Sequence, residues 1–134
     1  MLALVHASQA EVLAHERPNS DVLFTGLRLP GMALADAVLR FLQQHDVRPS
    51  EVLGVGVGIP GNVDRETGKV LSCPNLPVLD GADMARDASE ELSIPVYMAN
   101  NTNLIALGEH SAGIGRGVRD MAVVFVGSGL GCGL

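Results

Sequence analysis

Tryptophan is absent from these 134 residues, and one tyrosine and three phenylalanines are the only aromatics of six-membered ring. A core without aromatic bulk must be filled by Val, Ile, Leu and Ala. The 47% apolar content suffices for that in one small domain or a piece of a larger one, and it leaves no tract polar enough for disorder. Basic residues are also scarce: nine Lys and Arg stand against fifteen Asp and Glu, a net charge of −6. Nucleic acid is bound through a basic face, so the balance argues against a phosphate-backbone footprint here, and any DNA-binding module is expected outside this chain. Cysteine occurs only as Cys73 and Cys132, with no CxxC pair. The expectation is two reduced, buried thiols in a cytosolic protein. No apolar run approaches the roughly 20 residues needed to span a bilayer. Met1-Leu-Ala-Leu-Val-His6 lacks the basic region and apolar stretch of a signal peptide, so no membrane partner is expected and the cytoplasm is the default location.

What is present is an alternation of strand and helix patterns. Leu2 to Ala7 and Glu11 to Glu16 read as a hairpin, followed by a loop marked by Pro18, Asn19, Gly26, Pro30 and Gly31. From Met32 to about His45, Leu34, Ala35, Val38, Leu39, Phe41 and Leu42 recur at helical spacing opposite Asp36, Arg40, Gln43 and Gln44, and Pro49 closes the segment. Val52 to Ile59 is a continuous apolar run, the pattern of a strand covered on both faces. Val63 and Val70-Leu71 flank a turn at Glu66-Thr67-Gly68. Asp83 to Leu92 predicts a short helix, Pro95 to Met98 a strand, and Thr102 to about Ser111 a helix that Asn101 or Thr102 can cap. Met121 to Val126 predicts a further buried strand, running into Gly127-Ser-Gly-Leu-Gly-Cys-Gly133. The order implies an α/β class with a mixed sheet flanked by helices.

Two glycine-rich stretches invite a phosphate. Gly56-Val-Gly-Ile-Pro-Gly61 has the GxGxxG spacing, but a dinucleotide site needs its third glycine to open a helix. Asn62 to Gly68 is a turn-and-hairpin sequence instead, so these glycines are expected to permit close backbone approach in a strand and a ligand-facing turn. Gly127-Ser-Gly-Leu-Gly131 leaves two readings open: a cradle of backbone N–H groups with the Ser128 hydroxyl, or a plain turn between strands. A Walker A loop is excluded, because no Gly-Lys-Ser/Thr follows. Asn100, Asn101 and Asn103 lie where a strand meets a helix, a place that commonly faces the ligand crevice of an open α/β sheet. Their amides suit sugar hydroxyls, whereas capping accounts for one asparagine and not three. Glu109-His110 is expected to be solvated, and no metal site is predicted.

Taken together, these segments resemble the ROK family of sugar kinases and sugar-responsive repressors. Gly56-Val-Gly-Ile-Pro-Gly-Asn-Val-Asp64, Thr67-Gly68 and Leu71-Ser-Cys-Pro-Asn-Leu-Pro77 are similar to that family's "GIGIPGPVD…TG…LSAPNLP". Ile94 to Glu109 resembles "LPVxVENDANAAALGE", Gly113 to Asp120 resembles "GxGRGxxD", and Gly127 to Gly133 resembles the second phosphate loop, "GTGIGGGI". The likeness runs collinearly from about Leu53 to Leu134, and residues 1–52 agree in pattern only.

The resemblance implies an actin-like, ribonuclease-H-like ATPase fold in which sugar and nucleotide meet between two lobes. Residues 1–134 are then expected to be a partial N-terminal lobe, cut short at both ends. The family's Asp-x-Gly-Gly-Thr loop would precede Met1, and its Glu-x-Gly-His segment and Cys-rich zinc site would follow Leu134. Apolar surface left bare by such a cut would make the piece marginal or aggregation-prone alone. The resemblance further implies that Gly61, Asn75, Asn100 and Asn101 contact a hexose or amino sugar. Ser128, Gly129 and Gly131 would face nucleotide phosphates, with ATP and magnesium entering only in a kinase. A homo-oligomer is implied for the full-length protein.

One position departs from the active pattern. Where Glu-Asn-Asp-x-Asn supplies a catalytic Asp, this chain reads Ala99-Asn100-Asn101-Thr102-Asn103. The carboxamide of Asn101 can hydrogen-bond a sugar hydroxyl but cannot take its proton. Three outcomes are therefore carried forward: a sugar-sensing effector domain of a regulator without kinase activity, an ATP-dependent sugar kinase of glucokinase type or a fragment of one, and a decayed gene product.

Overall fold

The computed structural model describes residues 1–17, 24, 29–127 and 129–134. The loop markers Pro18, Asn19 and Gly26 and the candidate phosphate ligand Ser128 lie outside the described residues. The chain opens on an antiparallel hairpin, β1 (Leu2–His6) and β2 (Glu11–Glu16), with a register shift between Leu4 and Val5. Helix α1 (Pro30–Gln44) follows, with proline in its first turn where no N–H is required. Its stripe of Leu34, Ala35, Val38, Phe41 and Leu42 is buried, as the 3.6-residue spacing demands. Pro49 is not what ends it. Asp46 adopts a left-handed φ of 55°, and its N–H and that of Val47 turn back to Gln43 O and Leu42 O at 3.3 and 3.0 Å, a Schellman closure.

Strand β3 (Val55–Ile59) pairs in parallel with β6 (Val96–Asn100), from Val55↔Val96 to Ile59↔Asn100. A parallel pair needs a long crossover, and here it carries the short hairpin β4 (Asn62–Val63) and β5 (Val70–Ser72) and helix α2 (Met84–Leu92). Helix α2 buries Met84, Ala85, Ala88 and Leu92 against α1 and the ladder. These side chains join Val63, Val70, Cys73, Leu79, Ile94 and Met98 in one core, onto which Leu2 and Leu4 of the hairpin also pack. Helix α3 (Asn101–Ser111) follows β6 directly, and the hairpin β7 (Val123–Val126) and β8 (Leu130–Gly133) lies along it.

Four expectations are corrected. The strands do not form one mixed sheet: the described residues pair as four two-stranded ladders, three antiparallel and one parallel. Residues 52–59 are not a strand covered on both faces, because pairing begins at Val55, Gly56 and Gly58 are exposed and Leu53 is 81% exposed. Strand β7 is not buried, since Val124, Phe125 and Val126 lie open on a ladder with no further strand beside it among the described residues. Cys73 is buried as expected, but Cys132 is exposed, and both are free thiols. Burial pushes the Cys73 thiol pKa up, and its sulfur lies 3.8 Å from Pro60 O. No helix among the described residues is long and apolar enough to cross a membrane.

Candidate functional site

The site is built on the ends of the parallel pair. Strands β3 and β6 run side by side and finish together at Ile59 and Asn100, so the turn at Pro60-Gly61 and the start of α3 emerge at the same edge. Carboxyl ends of parallel strands are where open α/β proteins bind ligands. Asn100 caps α3: its Oδ1 accepts from Thr102 N at 2.8 Å and Asn103 N at 3.4 Å. The cap is thus neither Asn101 nor Thr102, because β6 extends two residues past Met98 and helical geometry begins at Asn101. The Nδ2 of Asn100 donates to Gly61 O at 2.9 Å, joining two of the predicted sugar ligands.

Gly61 has no room for a side chain. A Cβ there would stand 2.6 Å from Ser72 O and 3.1 Å from Cys73 Cβ. The segment leading to Asn75 is therefore pressed against the turn, and Asp80 holds it by accepting from Cys73 N at 2.6 Å. Asn75 itself is exposed two residues further on, and no hydrogen bond joins it to Asn100 or Asn101 among the described residues. Asn101 is half-buried at the first position of α3, its Oδ1 accepting a long 3.4 Å bond from the Thr102 hydroxyl. No described residue accepts from its Nδ2, so the amide is available to a ligand.

The second glycine stretch is a strand turn. Val126 pairs with Leu130 across the loop of residues 127–129, and Gly127 N donates to Gly129 O at 2.9 Å. Its glycines divide by environment. A Cβ on Gly129 would meet nothing within 4 Å, so that side of its backbone faces open space. One on Gly131 would stand 2.5 Å from Thr102 Oγ1, and one on Gly133 2.5 Å from Thr102 O. Gly131 and Gly133 therefore lie flat against α3, and of the predicted phosphate residues Gly129 alone is both described and open on that side. The N–H of Gly127 is already engaged by Gly129 O, which leaves Gly129 as the position of this stretch with open space beside it.

Sequence offered Thr102 only as a candidate cap. It is the one buried polar residue among the described residues, packed under Gly131 and Gly133 and adjoining Asn101. The signal for it was the two-residue spacing of Gly131 and Gly133, which puts both on one face of a strand. Glu109 and His110 brace the loop after α3: Glu109 Oε2 accepts from Ile114 N at 3.1 Å, and His110 Nε2 lies 2.9 Å from Val118 O. No group of three potential metal ligands occurs among the described residues. A cavity of about 490 Å³ opens beside Thr67, Gly68, Tyr97, Asn103 and Leu107, and neither Gly61, Asn75, Asn100 nor Asn101 lines it. Of the three asparagines Asn103 alone lines it, and Asn100 and Asn101 lie outside that cavity.

The ROK family profile matches residues 3–134. The chain belongs to the ROK family. A glucokinase of Halalkalibacterium halodurans is 33% identical over 101 residues, covering 75% of this chain and 30% of the relative. A xylose repressor of Caldicellulosiruptor bescii is 34% identical over 101 residues, covering 75% of this chain and 25% of the relative. Among solved structures, the ROK hexokinase of Thermus thermophilus superposes with a TM-score of 0.62 at 30% identity, covering 77% of this chain and 33% of that one. The chain thus spans a third or less of these relatives. ROK membership implies the actin-like ATPase fold, and the α/β architecture is consistent with it.

Proposed function

We propose that this chain is part of the N-terminal lobe of a ROK protein that binds a hexose or amino sugar and signals its presence without phosphorylating it. The observation that carries this is Asn101, at the first position of α3, where the family resemblance places a catalytic Asp. Its unengaged Nδ2 can donate to a sugar oxygen and its Oδ1 can accept from a hydroxyl, but neither takes up a proton at neutral pH. Gly61 and Asn75 supply further contacts, and Asn100 has one amide hydrogen left beyond the bond to Gly61 O. The repressor relative supports a sensing role, with DNA bound by a module outside this acidic chain. We place the protein in the cytoplasm, as an oligomer.

A second reading rests on the glucokinase relative and the open backbone of Gly129. On it, the protein is an ATP-dependent hexose kinase, with magnesium nucleotide held at the turn of residues 127–129. A coupled phosphorylation assay on the complete protein separates the two. The sensor reading expects negligible turnover with glucose and its amino-sugar relatives, and a gain of about a hundred- to ten-thousand-fold in Asn101→Asp, the usual worth of a positioned base. Ordinary kinase rates in the unmodified protein would sink it.

A further inference from the structure

We propose that Asn100 is a positioning residue whose carboxamide locks the Pro60-Gly61 turn onto the first turn of α3, fixing where Gly61 and Asn101 stand. The backbone ladder between β3 and β6 ends at Ile59↔Asn100. Beyond it, the bond from Asn100 Nδ2 to Gly61 O, at 2.9 Å, continues the cross-link with a side chain, joining residues 39 apart in sequence. The other end of the same carboxamide accepts from Thr102 N and Asn103 N. On its far side, Gly61 is approached so closely by Ser72 O and Cys73 that no side chain would fit, so the glycine lies between the end of β5 and Asn100. Both ends of one planar group are engaged, one by the helix and one by the turn. Replacing the turn-side donor therefore frees the turn without uncapping the helix.

Side-chain chemistry separates these roles. Ser and Asp are good N-caps, so each keeps the helix start. Asp places an acceptor toward Gly61 O, and Ser is too short to repeat the amide's reach, so each loses the tie. The effect on ligand rests on the proposed sugar site, whereas the tie itself can be read without ligand.

The test uses the complete protein with Asn100→Ser and Asn100→Asp. Hydrogen exchange in the absence of sugar is followed in peptides covering residues 59–63 and 100–106. Both variants should exchange about fivefold faster at 59–63, the worth of one hydrogen bond, with 100–106 unchanged. Unaltered exchange at 59–63 overturns the proposal. Affinity is then measured for glucose and a series of its deoxy derivatives. Positioning predicts a loss of about tenfold that persists for every sugar in the series, because the whole rim moves, with any contact of Asn100's own adding to it for one hydroxyl only. A loss that vanishes altogether for one deoxy sugar would mean that Asn100 acts through its own contact with that hydroxyl alone and overturn the positioning role. Faster exchange at 59–63 with no binding of any sugar, by wild type or variants, supports the tie and rejects the sugar site.

Discussion

Alanine at Gly133 should destabilise the protein more than alanine at any other glycine of the 127–133 stretch, because there the new methyl meets helix backbone. A Cβ at Gly133 stands 2.5 Å from Thr102 O, 2.9 Å from Thr102 C and 2.9 Å from Ala106 Cβ. None of these atoms can rotate away, so either β8 lifts off α3 or the helix shifts. Overpacking of that kind costs about 1–3 kcal/mol, and rigid neighbours put Gly133→Ala near the top of the range. At Gly131 the close atom is Thr102 Oγ1 at 2.5 Å, while Thr102 Cβ and Cγ2 are at an ordinary 3.5 Å. Rotation of the threonine relieves that clash and loses only its long bond to Asn101, which suggests about 1 kcal/mol. At Gly129 nothing lies within 4 Å, so the change should stay within about 0.5 kcal/mol. Melting temperatures of the complete protein should then fall in the order Gly129→Ala, Gly131→Ala, Gly133→Ala. The last should lie roughly 4–12 °C below wild type, taking 2–4 °C per kcal/mol for a protein of a few hundred residues. If Gly133→Ala melts with Gly129→Ala, the claim that these glycines exist to seat β8 on α3 is wrong.

Gly129 carries the nucleotide question. If the turn of residues 127–129 receives phosphates, Gly129→Val should abolish thermal protection by ATP and magnesium while leaving the unliganded melting point nearly unchanged, and intact protection would remove the turn from the site. Asp64 sets an acid-side limit on the β4–β5 hairpin. Its carboxylate accepts from Thr67 N and Thr67 Oγ1 at 2.8 Å each and from Glu66 N at 3.1 Å, and these bonds, those from Thr67 foremost, hold its pKa below the ordinary value. A pKa depressed on folding contributes stability above the unfolded value, about 3.9, and that contribution disappears as the pH falls through the folded value. Asp64→Asn should therefore melt below wild type at pH 7, with the gap closing below about pH 4. A gap that stays constant from pH 7 to pH 3 refutes the assignment.

How much of this was legible in the sequence depended on whether the deciding interactions were local. The faces of α1 and α2 were readable because Leu34, Ala35, Val38 and Leu42, and Met84, Ala85, Ala88 and Leu92, carry their burial in their spacing. The hairpin of residues 2–16 and the turn at 64–68 were readable for the same reason. The pairing of β3 with β6 was not, because it joins segments distant in sequence, and periodicity does not say how many ladders a set of strands will form. Strand β8 was hidden by its own composition. Glycine is depleted in strands, so Leu130–Gly133 read as loop, although the spacing of Gly131 and Gly133 is that of one strand face.

The three asparagines show the limit most clearly. Any of them could cap a helix, and only the register that ends β6 at Asn100 assigns the cap to that residue and leaves the amide of Asn101 unengaged. That register also decides how the two glycine stretches relate. Gly61 reaches α3 through Asn100, and Gly131 and Gly133 reach it through Thr102, so both stretches rest on the same helical turn. Asn101 stands on that turn between the cap and Thr102, so the residue that carries the functional question is flanked by the two contacts that seat the glycine stretches.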